Sequence, residues 1–567
     1  MKHPISLLVA AVLLGGCNFA PHYDRPKSEE AGAYKEAAPN ADPAAQGWKL
    51  AEPKDAALRN QWWEVYGDPK LNELEERVAI SNQTIIAAEA NYRAAHALVL
   101  QAQAALFPTL SLNPAVTREK SSAALAGIGG GVSTGATTTT GGTTTGGSTA
   151  TGSTTTTAAS ASASSAPHNI FDLPLEASYQ VDLWGNIRNN VAANRYSAQA
   201  SAAQLANALL STQSTLAQDY FQLRVADEQR RILEGTVIDY QASLHLVQTL
   251  FNNGLDSDED VASAETQLES AVAQETDVGV ARAQYEHAIA VLIGVPPAKF
   301  SIPYQHFNQP LPVIPVGLPS DLLERRPDIA AAERQVAQTN AQIGVARAAF
   351  FPTLTLSGTV GYESTRLSQL FEAPNRYWSV GPSLAQILFD GGERRAVVLQ
   401  AHAQNDAQIA TYRATVLSAF QSVEDQLAAL RILSQELDQQ HRAAMAAKRT
   451  VQLSVVRFRN GVDSYVNVIT AENSFLTARE AELQVKLRQL TASVSLIDDL
   501  GGGWATSQLG QTEHTAMHPP NADQEPKIPS DNAGPPVPNP PTVPGGEIQP
   551  EDFIKFNDDS TSGGALN

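Results

Sequence analysis

The sequence predicts a duplicated, mainly α-helical chain that also supplies four strands to a transmembrane β-barrel. Three observations predict it. The phrase at residues 105–112, ALFPTLSL, returns at residues 349–356 as AFFPTLTL. After each phrase a glycine (Gly185 or Gly391) opens a helical arm that runs to an Asn-Gly break, 69 positions on in the first copy and 70 in the second. Between phrase and glycine, apolar and polar residues alternate with period two, the pattern of strands with one greasy face.

Each element follows in chain order. Lys2 and His3, the apolar run Ile5 to Leu14 and the small residues before Cys17 read as a secretory signal peptide at 1–16, too short to span a bilayer. Leu14-Gly15-Gly16-Cys17 has the form of a bacterial lipobox, so cleavage would leave Cys17 as a lipidated N-terminus. Asn18 in place of Asp then directs the lipoprotein, by resemblance to others of that kind, to the outer membrane. Residues 17–66 are expected as a lipid-anchored, extended N-terminal segment. A first repeat occupies 67–319 and a second 320–504, each with a helix, a strand pair and a long helical hairpin. Asp68-Pro69 and Arg326-Pro327 are good helix starts, because proline fits the first turn.

In the first strand pair, Leu110, Leu112 and Val116 oppose Ser111, Asn113 and Thr117, and Leu173, Leu175, Tyr179 and Val181 oppose Glu176, Ser178 and Gln180. In the second, Leu354, Leu356, Val360 and Tyr362 oppose Thr353, Thr355, Ser357 and Thr359, while Trp378, Val380 and Leu384 complete the set. A soluble half-buried hairpin would alternate in the same way. Four strands cannot close a barrel, and open edges are not tolerated in lipid. Three copies would give a twelve-stranded barrel, above the eight strands of the smallest bacterial ones.

From Pro108 to Gly254 is 146 positions but from Pro352 to Gly461 only 109, and the surplus of 37 falls in the Gly/Thr/Ser/Ala tract 121–166. That tract has no apolar periodicity and reads as a flexible loop at an exposed strand end. Residues 505–567 read as a Pro-rich disordered tail.

The formal charge of −20 comes without a basic stripe, which argues against nucleic-acid binding. A single cysteine excludes an intrachain disulfide and a Cys-rich metal site. Gly131 to Gly135 matches G-x-S-x-G only inside the low-complexity tract, whereas that motif needs a strand-turn-helix setting. No H-E-x-x-H, P-loop or other catalytic constellation is present, so no enzyme, metal or cofactor is expected.

Eight motifs in order, among them CNFAPHYDRP, WWEVYGDPKLNELEERV, YQVDLWGNIRNNVAAN, LLERRPDIAAAE and FRNGVDSYVNVITAENSFLTAR, span residue 17 to about 504. Together they identify the chain as resembling the TolC-like outer-membrane efflux proteins, in the lipoprotein branch that serves resistance-nodulation-division (RND) pumps. The resemblance implies a homotrimer with a twelve-stranded outer-membrane β-barrel continued by a long periplasmic α-helical coiled-coil barrel. It implies a passive exit duct for small toxic compounds, coupled to a periplasmic adaptor and an inner-membrane RND-type pump. A protein-secretion duct fed by an ABC transporter is the rival within the fold, and a lipid-anchored coiled-coil interaction protein the rival outside it.

The resemblance also directs attention to the Asn-Gly breaks. Asn253, Gly254 and Leu255 with Asn460, Gly461 and Val462 are expected at hairpin tips that meet the adaptor. Asp256, Asp258, Glu259 and Asp260 put four acids in five residues past the first break. Acids there suit a helix N-terminus in any case. Asp260 lies where the family carries a pore-constriction aspartate, and is the expected gate residue. On the second hairpin Asn467 and Thr470 stand where many relatives carry acids, so a second acidic ring is not expected. Arg457 and Arg459 either hold neighbouring tips closed or form a solvated face, and Asp463 is a candidate helix cap.

Overall fold

A computed structural model of the chain describes residues 19–27, 34–36, 61–120, 167–307, 309–312, 314, 325–502 and 504. The signal peptide, Cys17, most of 17–66, the 121–166 tract and the 505–567 tail lie outside the described residues.

Proline at the first turn and an Asp68 side chain that accepts from the amides of Lys70 and Leu71 start α1, Pro69–Ser81. Asn82 then breaks the helix and caps α2, Gln83–Ala104, by accepting from Thr84 and Ile85. Residues 105–108 turn the chain out of the helix at Pro108 and into β1, Thr109–Leu112, and β2, Ala115–Glu119. The return strand β3, His168–Val181, leads through Gly185 to α3, Asn186–Asn252, and α4, Asp258–Leu292. The second copy is α5 (Pro327–Ala348), β4 (Thr353–Ser364), β5 (Arg376–Ala385), α6 (Glu393–Arg459) and α7 (Tyr465–Asp499).

The duplication holds residue for residue. α2 and α5 have 22 residues each, α3 and α6 have 67, and α4 and α7 have 35. The ascending helix and first strand recur 244 positions later, and everything from the second strand to the end of the return helix recurs 207 later. That spacing corrects one landmark: the counterpart of Gly185 is Gly392, which caps α6 with φ 96°, rather than Gly391. At 1.5 Å per residue each long arm reaches about 100 Å.

The strands form one antiparallel sheet in chain order. β1 and β2 keep a single register on β3 (Leu112 opposite Leu175, Ala115 opposite Asp172), so they are one strand interrupted at Asn113-Pro114. Proline has no N–H to give the ladder, which suits an edge strand. The registers align the apolar residues in rows across the sheet: Leu112, Leu175, Val360 and Trp378 form one, and Val181, Leu354 and Leu384 another. Ser111, Glu176, Thr359 and Ser379 form a polar row on the other face. Leu110, Leu112, Val116, Trp378, Val380 and Leu384 are all exposed in the single chain. Among the described residues, no helix is long and apolar enough to cross a membrane.

The core sits midway along the arms. Tyr220 and Phe221 of α3, Ile289 and Ile293 at the end of α4, Tyr412 and Val416 of α6, and Leu490 and Val494 of α7 meet Trp62, Leu71 and Leu74 there. Fully burying each such side chain contributes about 1.5–3 kcal/mol. Nearer the strands the arms pack on alanine, as where Ala203 meets Ala330 and Ala331.

The N-terminal segment lies along the second copy. Phe19 stacks on Phe351 at 4.3 Å, Phe351 stacks on Trp184 at 4.9 Å, and the Trp184 indole donates to the Pro352 carbonyl at 2.8 Å. Asn340 then donates to the Pro21 carbonyl, Tyr23 to Glu333, and Arg25 to the Tyr412 hydroxyl. The amides of Lys35 and Glu36 reach Glu424. The contacts thus begin at the helix-to-strand junction and step away from it along α5 and α6.

Candidate functional site at the hairpin tips

Both long arms end in the same turn. Gly254 takes φ 71° and Gly461 φ 68°, a left-handed conformation open to glycine at no steric cost. The amides of Leu255 and Val462 bond back to the carbonyls of Leu250 and Arg457 at 2.9 and 3.0 Å, and those of Gly254 and Gly461 to Phe251 and Phe458, both at 2.9 Å. These bonds close the orphan carbonyls of each helix end. Asn253, Gly254, Leu255, Asn460, Gly461 and Val462 are all exposed.

The first return helix starts with a serine cap. Ser257 is the N-cap, its hydroxyl accepting from the Asp260 amide at 3.2 Å and donating to the Asp260 carboxylate at 2.7 Å. Asp258 and Glu259 occupy the first turn with Asp260 and complement the helix dipole. Asp256 accepts from the Ser257 amide at 3.0 Å, while its other oxygen is buried without a hydrogen-bond partner. Burial, and then the neighbouring Asp260 carboxyl, push the Asp256 carboxyl above its ordinary range. Asp256 and Asp260 therefore form a like-charged pair at the tip.

The second tip replaces this pair with a neutralised one. The shift of 207 places Asp463 on Asp256 and Asn467 on Asp260. Asp463 accepts from the Ser464 amide and from the Asn467 side chain, and Arg457 lies 3.3 Å from its other oxygen. The N-cap itself is Ser464, so the expectation that Asp463 caps the first-turn amides of α7 does not hold. Arg457 is thus engaged on its own hairpin, Arg459 is exposed, and the Thr470 hydroxyl returns to the Val466 carbonyl. The structure brings Asp256 with Asp260 and Arg457 with Asp463. Cys17 lies outside the described residues.

One polar group near the tips escaped the sequence reading. Glu472 sits on α7 among the buried positions Tyr465, Val468, Ala471 and Leu476. The Ser243 hydroxyl of α3 donates to one of its oxygens at 3.1 Å, and the other has no partner. Burial pushes its carboxyl up to about 7. A charged residue inside an apolar helical stripe was the available signal.

A sheet with a greasy face, continued by arms of about 100 Å that end in matched acidic and neutralised tips, defines a duct-forming membrane protein. The profile of the family described as outer membrane efflux protein matches residues 76–295 and 318–502. The chain belongs to that family. It is 30% identical over 507 residues to the pyoverdine export outer membrane protein OpmQ of Pseudomonas aeruginosa, covering 89% of this chain and 98% of that one. It is 28% identical over 517 residues to the antibiotic efflux pump outer membrane protein ArpC of Pseudomonas putida, covering 91% and 98%. The solved outer-membrane channel OprN superposes with a TM-score of 0.73 at 26% identity, over 86% of this chain and all of that one. The protein is an outer-membrane efflux channel, as its motifs implied.

Proposed function

We propose that three copies close one pore, fed by a periplasmic adaptor and an inner-membrane RND-type pump, through which small toxic compounds leave passively. The observation that carries this is a sheet apolar on one face and open at both edges. Lipid cannot solvate those edge N–H and C=O groups, so neighbouring copies must pair with them. Relatives that export pyoverdine or antibiotics support a small-molecule cargo over a secreted protein. Phe19, two residues past Cys17 and stacked at the helix-to-strand junction, supports lipid anchoring of Cys17 beside the outer membrane. No catalytic step, metal or cofactor enters this function.

The tips form the gate. Threefold symmetry turns Asp256 and Asp260 into a ring of carboxylates, which in a narrow mouth repel one another and attract cations. The second hairpin has Asn467 in the place of Asp260 and the uncharged Thr470 beyond it, and its Asp463, in the place of Asp256, is neutralised by Arg457. The exposed tip residues of both hairpins offer the adaptor its docking surface. Engagement spreads the helix pairs and widens the ring.

Asp260→Ala is expected to raise single-channel conductance in planar bilayers or weaken cation selectivity, since it removes one carboxylate per tip and frees the Ser257 cap. Unchanged conductance and selectivity would remove Asp260 from the gate.

A further inference from the structure

We propose that the greasy face of the sheet ends, away from the helical arms, in a basic rim that binds an anionic, phosphorylated glycolipid of the outer leaflet. Arg118 and Arg376 are its two phosphate contacts in each chain. The inference goes beyond the duct reading and draws on neither the pump nor the gate.

The strands sort their charges by face. Their carboxylates are Glu119, Asp172, Glu176 and Glu363, and their arginines are Arg118 and Arg376. Steps of two along each strand put Arg118 on the face of Leu110, Leu112 and Val116, and Arg376 on that of Trp378, Val380 and Leu384. The registers join these into one face, since Arg118 stands opposite Asn169, and Arg376 opposite Tyr362 and through it Leu173. All four carboxylates fall on the other face, which lines the pore. There Glu119 lies 3.3 Å from His168, and Tyr377 donates to Asp172 at 2.9 Å. The greasy face carries cations alone. Arg118 and Arg376 are exposed, and neither guanidinium has a partner among the described residues.

Their depth fits a headgroup. The strands leave the helices at Thr109 and Thr353, so the opposite ends face away from the arms. Arg118 lies eight positions from Leu110, and Arg376 eight from Leu384. That is about 27 Å of strand, or about 20 Å of membrane depth at a tilt near 40°, close to the far edge of an apolar band about 25 Å tall. An arginine on the lipid face is costly at mid-bilayer and tolerated near the interface. Aromatic rings mark the same level. Trp378 and Tyr362 adjoin Arg376, and Phe371 packs edge-on against Tyr362 at 5.5 Å with 70% of its surface exposed. The loop between β4 and β5 adds Arg366 and Glu372, one charge of each sign.

Charge selects the occupant. A guanidinium fork matches two phosphate oxygens at once. A zwitterionic headgroup would also bring an ammonium to a face whose strands offer it no carboxylate. A glycolipid with phosphates and no ammonium meets no such mismatch.

The test is lipid retention by the full-length protein, purified in detergent as the assembled oligomer and weighed by native mass spectrometry. Bisphosphorylated lipid A is the probe. Lipid A stripped of both phosphates and phosphatidylethanolamine are the controls, and the parent is expected to hold only the first. Arg118→Gln with Arg376→Gln is expected to hold it about tenfold less or weaker still, as the loss of charge-assisted bonds implies. Arg118→Lys with Arg376→Lys is expected to recover part of it, and Glu176→Gln, on the pore face, to match the parent. Each single glutamine variant is expected to hold less than the parent, which keeps the test open should the double variant not assemble. Undiminished retention by the glutamine variants, equal retention of the stripped lipid, or displacement by an equal concentration of inorganic phosphate overturns the rim. Oligomers that conduct normally alongside any of those results leave the duct standing.

Discussion

Asp227→Ala is expected to destabilise the chain by about 3–5 kcal/mol, more than any change at the tips. Asp227 is buried on α3 and receives Arg224 at 3.0 Å and Arg282 of α4 at 2.7 Å, both guanidiniums being buried as well. Those arginines also hold the chain after α4, through the carbonyls of Pro303 and Ile302, and Asp227 itself accepts from the Gln305 amide. Removing the carboxylate leaves Arg224 in the core without an anion and Arg282 with Glu286 alone, 3.0 Å away. The more exposed Arg457–Asp463 pair, by contrast, is worth about 0–1 kcal/mol in water. Denaturant unfolding of the purified protein checks this, and a loss below about 1 kcal/mol would sink the reading. Channels that do assemble should conduct normally, since Asp227 lies about 40 Å along α3 from the tip.

Glu472→Gln is expected to act in the opposite sense and only above acidic pH. The Glu472 carboxyl titrates near 7 when folded, against an ordinary value of 4.5. Below the lower value both folded and unfolded chains hold the proton and stability is undiminished. Between the two the folded chain alone holds it, so stability falls as pH rises and levels off above about 7. The full loss is up to roughly 3 kcal/mol. Glutamine keeps the bond to Ser243 and cannot ionise. The variant should therefore match the parent near about pH 4 and unfold at a higher temperature near about pH 8. Asp239 of α3, also pushed up by burial, adds a smaller slope of the same sign that the variant retains. Parallel pH profiles for the two proteins would show that Glu472 does not bear this load.

Much of the fold was legible because its signals are local. Proline after Phe107 and Phe351 ends a helix whatever surrounds it, alternation fixes a strand's faces, and Asn-Gly turns an arm back. Length supplied the rest, since arms that match within a residue had to be copies. The interruption at Asn113-Pro114 and the break at Asn82 rest on equally local chemistry but lie inside runs whose apolar period continues across them. Partners distant in sequence were not legible. Nothing near Asp227 announces Arg282, and nothing near Phe19 announces Phe351, 332 positions away. At the tip the acids were plain, but whether Asp260 faces Ser257 or open solvent depends on a side-chain bond that spacing does not encode.

The equality of the two hairpins, 67 residues outward and 35 back in each, has a consequence at the far end of the molecule. Both reach the same depth, so the rim they build is level. Shortening one hairpin by two turns would open a notch about 10 Å deep beside each intact neighbour. In the proposed duct, a cap seated on such a crenellated lip would leak, so a deletion in one arm is expected to be tolerated only with its twin in the other.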